Sequence, residues 1–149
     1  MIKVIKRNDK IQYFDKNKKI ITSKIEHPSV LNCFKYLEKK GFIVKYIGVD
    51  KDFLIDEKEF IDEIDQNVVF VSFMHVNNEF GKIQNIEKLS YILKEKNKRA
   101  LFHSDLVQSV FKTKKIDLKN IDFFSVSGHK INSLKGIALL KKNKNCFID

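Results

Sequence analysis

Val68-Val69-Phe70-Val71-Ser72-Phe73-Met74 is apolar at almost every position and gives way at once to His75-Val76-Asn77-Asn78-Glu79-Phe80-Gly81. A strand with one wet face alternates between apolar and polar. A run that stays apolar and is rich in β-branched and aromatic residues is a strand covered on both faces, as in a parallel sheet. The pattern recurs at residues 20–22, 43–49, 100–103 and 123–126, with 136–140 as a sixth strand.

Helices are expected between these strands. Pro28 suits a first helical turn and Gly41 the position just past a last one, so 27–40 reads as a helix with Val30, Leu31, Phe34 and Leu37 inward. Cys33 on that helix reads as a small core residue. Asp56 and Glu59 have capping-box spacing and open a second helix running through Phe60, Ile61 and Ile64. A third spans 85–97, with Ile86, Leu89, Ile92 and Leu93 at helical spacing. Residues 6–19 are polar and lysine-rich and read as a helix end plus a loop. The β-α-β alternation predicts one α/β domain, a three-layer, open, mostly parallel sheet with helices on both faces.

At 149 residues and 43% hydrophobic, the chain supports one core and not two. It carries 29 basic against 19 acidic side chains, and among the basic ones only Arg7 and Arg99 are arginine. Arginine supplies the planar phosphate and base contacts of nucleic-acid readers, so dispersed lysines argue against such a partner. Cys33 and Cys146 make no disulfide framework, and no Cys-x-x-Cys or His-Glu-x-x-His spacing occurs, which fits a reducing cytoplasm. No stretch reaches the roughly 18 apolar residues of a membrane span, and Met1–Arg7 lacks a signal-peptide core.

In open α/β sheets ligands bind beyond the carboxyl ends of the strands. Unusual polar residues gather at those ends: Ser23 to His27, His75 to Gly81, His103-Ser104-Asp105-Leu106-Val107-Gln108, and Ser127-Gly128-His129-Lys130. Each cluster has a plain structural reading. His27 is a helix-start residue, Asn77 and Asn78 serve a turn, Asp105 caps a short helix, and Lys130 is a surface lysine. Four clusters at four strand ends need four such accidents. Pyridoxal phosphate chemistry needs a lysine to form an imine, a carboxylate to keep the pyridine nitrogen protonated, and hydroxyl and imidazole groups for the phosphate. Lys130, Asp105, Ser127 and His129 supply these types. A rival site, a metal held by His103, Asp105 and His129, lacks the tight spacing that metal ligands usually show.

Thr22-Ser23-Lys24-Ile25-Glu26-His27, Met74-His75-Val76-Asn77-Asn78-Glu79-Phe80-Gly81, His103-Ser104-Asp105-Leu106-Val107-Gln108-Ser109 and Ser127-Gly128-His129-Lys130-Ile131 resemble, in order and spacing, the motifs of the NifS-like cysteine desulfurases of the class V aminotransferase group. The likeness runs from about Ile20 to Leu140. It implies a type I pyridoxal phosphate-enzyme large domain, here incomplete, with pyridoxal 5'-phosphate as cofactor. By the same resemblance Lys130 is the Schiff-base lysine and Asp105 the partner of the pyridinium nitrogen. Gln108 and Asn78 lie at the phenolic oxygen, His27 stacks on the ring, and Ser127 and His129 contact the phosphate. Lys130 and His27 are the implied catalytic residues. Lys130 is expected to need a lowered pKa, supplied by burial and the cofactor.

Two departures stand out. The family follows its lysine with an aromatic residue and Gly-Pro-Lys-Gly, where this chain has Asn132-Ser133-Leu134-Lys135-Gly136, which leaves the shape of that loop open. Leu106 replaces a small residue and is expected to crowd the space under the ring. Family members are more than twice as long. Their Gly-Thr-Glu type turn is expected before residue 1, and the nucleophilic cysteine, the substrate-binding arginine and a phosphate contact across a dimer beyond residue 149. Neither Cys33 nor Cys146 matches that cysteine.

The resemblance therefore implies the central part of a cytoplasmic enzyme that converts L-cysteine to L-alanine and passes sulfur to its own cysteine. It also implies acceptor or scaffold proteins of iron–sulfur cluster assembly, a homodimeric parent, and no desulfurase activity from this fragment alone. The alternatives are another class V lyase or aminotransferase, or a non-catalytic remnant of a split gene.

Overall fold

A computed structural model describes residues 18–143, together with the backbone of two short strands, β1 (Val4–Lys6) and β2 (Lys10–Gln12). Cys146 lies outside the described residues.

The backbone then runs β3 (Lys19–Ser23), α1 (Pro28–Lys39), β4 (Ile43–Ile47), α2 (Glu57–Glu63), β5 (Val68–Ser72), α3 (Ile86–Lys96), β6 (Leu101–Asp105), β7 (Phe123–Ser127), a 3-10 turn (Gly128–Ile131) and β8 (Ala138–Lys142). The six strands β3 to β8 form one sheet in the order β4-β3-β5-β6-β7-β8. The first five are parallel, and β8 returns antiparallel along β7. The expected open, mostly parallel sheet is present.

The helix ends follow from their cap chemistry. His27 precedes Pro28, and its Nδ1 accepts the N–H of Ser29 at 3.2 Å. Asp56 accepts the Glu59 N–H at 3.0 Å, but the Glu59 carboxylate does not close a capping box and takes the N–H of Gly48 instead, at 2.7 Å. This ties α2 to the end of β4. Asn85 caps α3 through the Lys88 N–H. Gly41, with φ of 94°, turns the chain out of α1 where a side chain would be strained.

Residues three apart on a strand point to opposite faces. Phe70 meets Phe34 of α1 with ring centroids 6.3 Å apart, whereas Phe73 meets Phe60 of α2 edge-on at 5.0 Å and Phe102 at 6.0 Å. Helix α1 therefore covers one face and α2, with its neighbour α3, the other. The main core is on the α2–α3 face, where Ile21, Val71, Phe73, Leu89, Leu93 and Phe102 are almost wholly buried.

Three expectations fail. Residues 10–12 pair as a strand with 4–6, and Lys19 opens β3, in place of the helix end plus loop expected over 6–19. No helix joins β6 to β7. The chain there is a series of turns closed by bonds such as Ser109 N–H to the Leu106 carbonyl. Cys33 is exposed and not a core residue, because it stands roughly 100° round the helix from the buried Phe34. Leu106 is 2% exposed within the main core.

Candidate active site

Because β3, β5, β6 and β7 are parallel, their carboxyl ends share one edge of the sheet. Thr22 pairs with Ser72, Ser72 with His103, and Asp105 with Ser125. Main-chain bonds carry the ladder past the strand ends, from Phe73 N–H to the His103 carbonyl, His75 N–H to the Asp105 carbonyl and Leu106 N–H to the Ser125 carbonyl. The loops bearing the polar clusters thus begin from a common fixed line.

The loop after β3 is tied to the end of β5 by buried polar groups. One oxygen of Glu26, Oε1, accepts both the Ser23 hydroxyl at 2.7 Å and the Met74 N–H at 2.8 Å. Its other oxygen, Oε2, is buried without a partner. Burial pushes this carboxyl up to about 8, opposed by its two hydrogen bonds and assisted by the neighbouring Asp105. Asn77 adds a second tie. Its amide donates to the Ile25 carbonyl at 3.0 Å while its oxygen accepts the N–H groups of Glu79 and Phe80. Asn77 is therefore turn chemistry, and Asn78 beside it is exposed.

Asp105 is half-buried at the end of β6, with Oδ1 accepting the Val107 N–H at 2.8 Å. Burial raises its carboxyl above the ordinary range, and the Val107 N–H and the charge of His27 pull it partly back. A partly desolvated carboxylate with so little compensation favours a cationic N–H placed against it. The imidazole of His27 is exposed, with Nδ1 engaged by the Ser29 backbone and facing the Ser29 hydroxyl at 2.7 Å.

After β7, Ser127 Oγ and His129 Nδ1 are 2.7 Å apart, so hydroxyl and imidazole form one polar pair on the 3-10 turn. Lys130 follows on the same turn and is exposed, not buried as its expected role required. Asn132 ends the turn with φ of 58°, a left-handed conformation that Asn tolerates better than most residues. The Gly128 N–H then bonds the Ile137 carbonyl at 2.8 Å, and the Ser133 N–H bonds the Gly128 carbonyl at 3.0 Å. The altered segment thus makes a closed loop without the Gly-Pro turn.

Of the seven residues singled out from sequence, the fold brings Ser127 to His129 and places His27 within electrostatic reach of Asp105. Gln108 is half-buried and accepts from Lys112 at 3.3 Å. Among the described residues no hydrogen bond links Asn78, Gln108 or Lys130 to another member of the set. Nor do three His, Cys, Asp or Glu side chains come together to hold a metal among those residues. His103 instead faces Ser72 Oγ at 2.8 Å and stacks on Phe70, and burial pulls its imidazole down to about 4. Sequence reasoning passed over Glu26. A carboxylate three residues after Ser23, where β3 gives way to α1, was the available signal.

Comparison with known proteins turns this geometry into a family assignment. The mitosomal cysteine desulfurase of Trachipleistophora hominis is 45% identical over 123 residues, covering 81% of this chain and 27% of that protein. The cysteine desulfurase IscS of Buchnera aphidicola is 46% identical over 125 residues, 83% of this chain and 30% of the relative. The chain thus spans about a third of the length of the curated relatives it matches. Among solved structures a NifS-like protein superposes with a TM-score of 0.84 at 39% identity, over 89% of this chain and 36% of the other. A structure described as SspA in complex with cysteine gives 0.78 at 37%, over 85% and 36%. No helix among the described residues is long and apolar enough to cross a membrane. The model of the aminotransferase class-V family matches residues 2–146, nearly the whole chain, and the chain belongs to that family.

Proposed function

We propose that this chain is the cofactor-binding portion of a pyridoxal phosphate-dependent cysteine desulfurase, part of a large domain whose remaining segments lie outside these 149 residues. The observation that carries the reading is the meeting, at one sheet edge, of an under-compensated carboxylate (Asp105), a neighbouring imidazole (His27) and a hydroxyl–imidazole pair (Ser127–His129). Class-V aminotransferases and cysteine desulfurases depend on pyridoxal phosphate, and this donor set fits that group.

When bound, the cofactor supplies an electron sink for the bonds around the amino-bearing carbon of an amino acid. Asp105 would hold the proton on the ring nitrogen, Ser127 and His129 would donate to the phosphate, and Asn78 and Gln108 would polarise the phenolic oxygen. His27 would cover the ring face, oriented by the Ser29 N–H on its Nδ1. Lys130 Nζ would supply the amine for covalent attachment. The parent enzyme takes L-cysteine, works as a homodimer in the cytoplasm and hands sulfur to acceptor proteins of iron–sulfur cluster assembly.

Incubation with pyridoxal phosphate, borohydride reduction and peptide mapping tests the reading. An adduct on Lys130 supports it. A chain that folds and labels elsewhere, or not at all, sinks it. Within this proposal the 149-residue chain binds cofactor but releases no sulfide from cysteine.

A further inference from the structure

We propose that Glu26 is a positioning residue for this pocket: its carboxyl braces the turn carrying His27 against the end of β5 and flanks Asp105. The inference rests on the cofactor reading above and adds a group to which neither spacing nor relatives' names assign a task.

The geometry is that of a strut. Glu26 is 4% exposed, and Oε1 receives a donor from each of two elements, the Ser23 hydroxyl from the end of β3 and the Met74 N–H just past β5. The neighbouring peptide is held as well, through the Asn77 amide on the Ile25 carbonyl. The residue after Glu26 is His27, whose ring is fixed in turn as the cap of α1. A chain of bonds therefore runs from β5 through Glu26 to the imidazole.

The charge state follows from the surroundings. The groups facing Glu26 are Ser23 from β3, the Met74 N–H after β5 and Asp105 from β6, with His27 adjacent on its own turn, and among the described residues no ion pair is made to it. A desolvated carboxyl beside another acid keeps its proton at neutral pH. With Glu26 uncharged, no second negative charge opposes Asp105 where it would face a cationic ring nitrogen. Were Glu26 ionised, the two charges would repel and the turn carrying His27 would have to shift or admit water.

The test compares the wild-type chain with E26A and E26Q, using pyridoxal phosphate itself as the probe. At neutral pH, E26A is expected to weaken cofactor uptake, read from visible absorbance, by about tenfold, the equivalent of one lost buried hydrogen-bonded tie. It should also displace the His27 ring signals in NMR spectra of the cofactor-free chain. E26Q keeps an acceptor for Ser23 and Met74 and should restore both readouts. Carbon-detected titration should find the Glu26 carboxyl protonated at neutral pH, and the absorbance of the loaded protein should show an alkaline inflection that E26Q lacks. Wild-type-like uptake and His27 signals in a folded E26A overturn the proposal. So does a Glu26 carboxyl titrating in the ordinary range with E26Q no better than E26A. A wild-type chain that takes up no pyridoxal phosphate sinks the cofactor reading alone, and the His27 and carboxyl signals then decide the strut by themselves.

Discussion

Gly128 donates its N–H to the Ile137 carbonyl, and that same oxygen stands 2.9 Å from where a Cβ on residue 128 would sit. The Leu134 carbonyl is 3.1 Å from the same point. Both obstacles are main chain and cannot rotate aside. Gly128→Ala is expected to destabilise the fold by about 1–3 kcal/mol, the cost of overpacking, and to move the loop beside Lys130. Urea unfolding and borohydride labelling check it; an unchanged midpoint with full labelling refutes the close approach.

Lys130 gives the opposite signature. Its side chain is exposed, so Lys130→Ala should leave stability within about 0.5 kcal/mol while abolishing the cofactor adduct. Thermal melting and peptide mapping on one preparation separate the two effects, and an adduct that persists in the variant assigns the chemistry elsewhere.

Stability should respond to pH through two buried groups of opposite sense. The Glu26 carboxyl is raised from 4.5 to about 8, so the folded state holds a proton the unfolded state has released, and stability falls as pH rises across that window. Asp105, also raised, contributes in the same sense. The His103 imidazole is lowered from 6.5 to about 4, so its contribution is present above 6.5 and is lost as pH falls toward 4. Urea unfolding from about pH 4 to about pH 9 should show E26Q flattening the alkaline limb and His103→Gln the acid limb. Parallel pH profiles for all three proteins would contradict both assignments.

Lys94 Nζ lies 2.5 Å from Asp122 Oδ2, an oxygen that also accepts the Phe102 N–H at 2.7 Å. The two side chains are 19% and 14% exposed. Lys94 Nζ also donates to the Ala100 carbonyl at 2.7 Å, so Lys94→Met removes two bonds of a largely buried ammonium and should cost about 2 kcal/mol. Chemical denaturation measures it; a loss below about 1 kcal/mol would place the pair with ordinary surface bridges.

Much of this architecture was legible because its signals are local. The apolar runs around Ile21, Val71 and Phe102 became strands of a largely parallel sheet, Pro28 and Asp56 marked helix starts through chemistry confined to one turn, and the spacing of Ile86, Leu89, Ile92 and Leu93 gave the third helix. What escaped was set by partners distant in sequence. The run containing Leu139 and Leu140 resembles the other strands, yet it pairs antiparallel with β7, and its direction depends on a ten-residue return that no periodicity reveals. Cys33 could be placed on α1 but not on the correct side of its stripe. At the site, the order Glu26-His27, Asp105 and Ser127 to Lys130 identified the edge. The role of Glu26 depends on the Met74 N–H, 48 residues away.

The cap on α1 ties the imidazole beside Asp105 to a folding element. With Nδ1 of His27 receiving the Ser29 N–H, one bond both orients the ring and closes the helix start. Any ligand that displaced this imidazole would loosen the first turn of α1, so the helix start becomes a built-in reporter of what the ring touches.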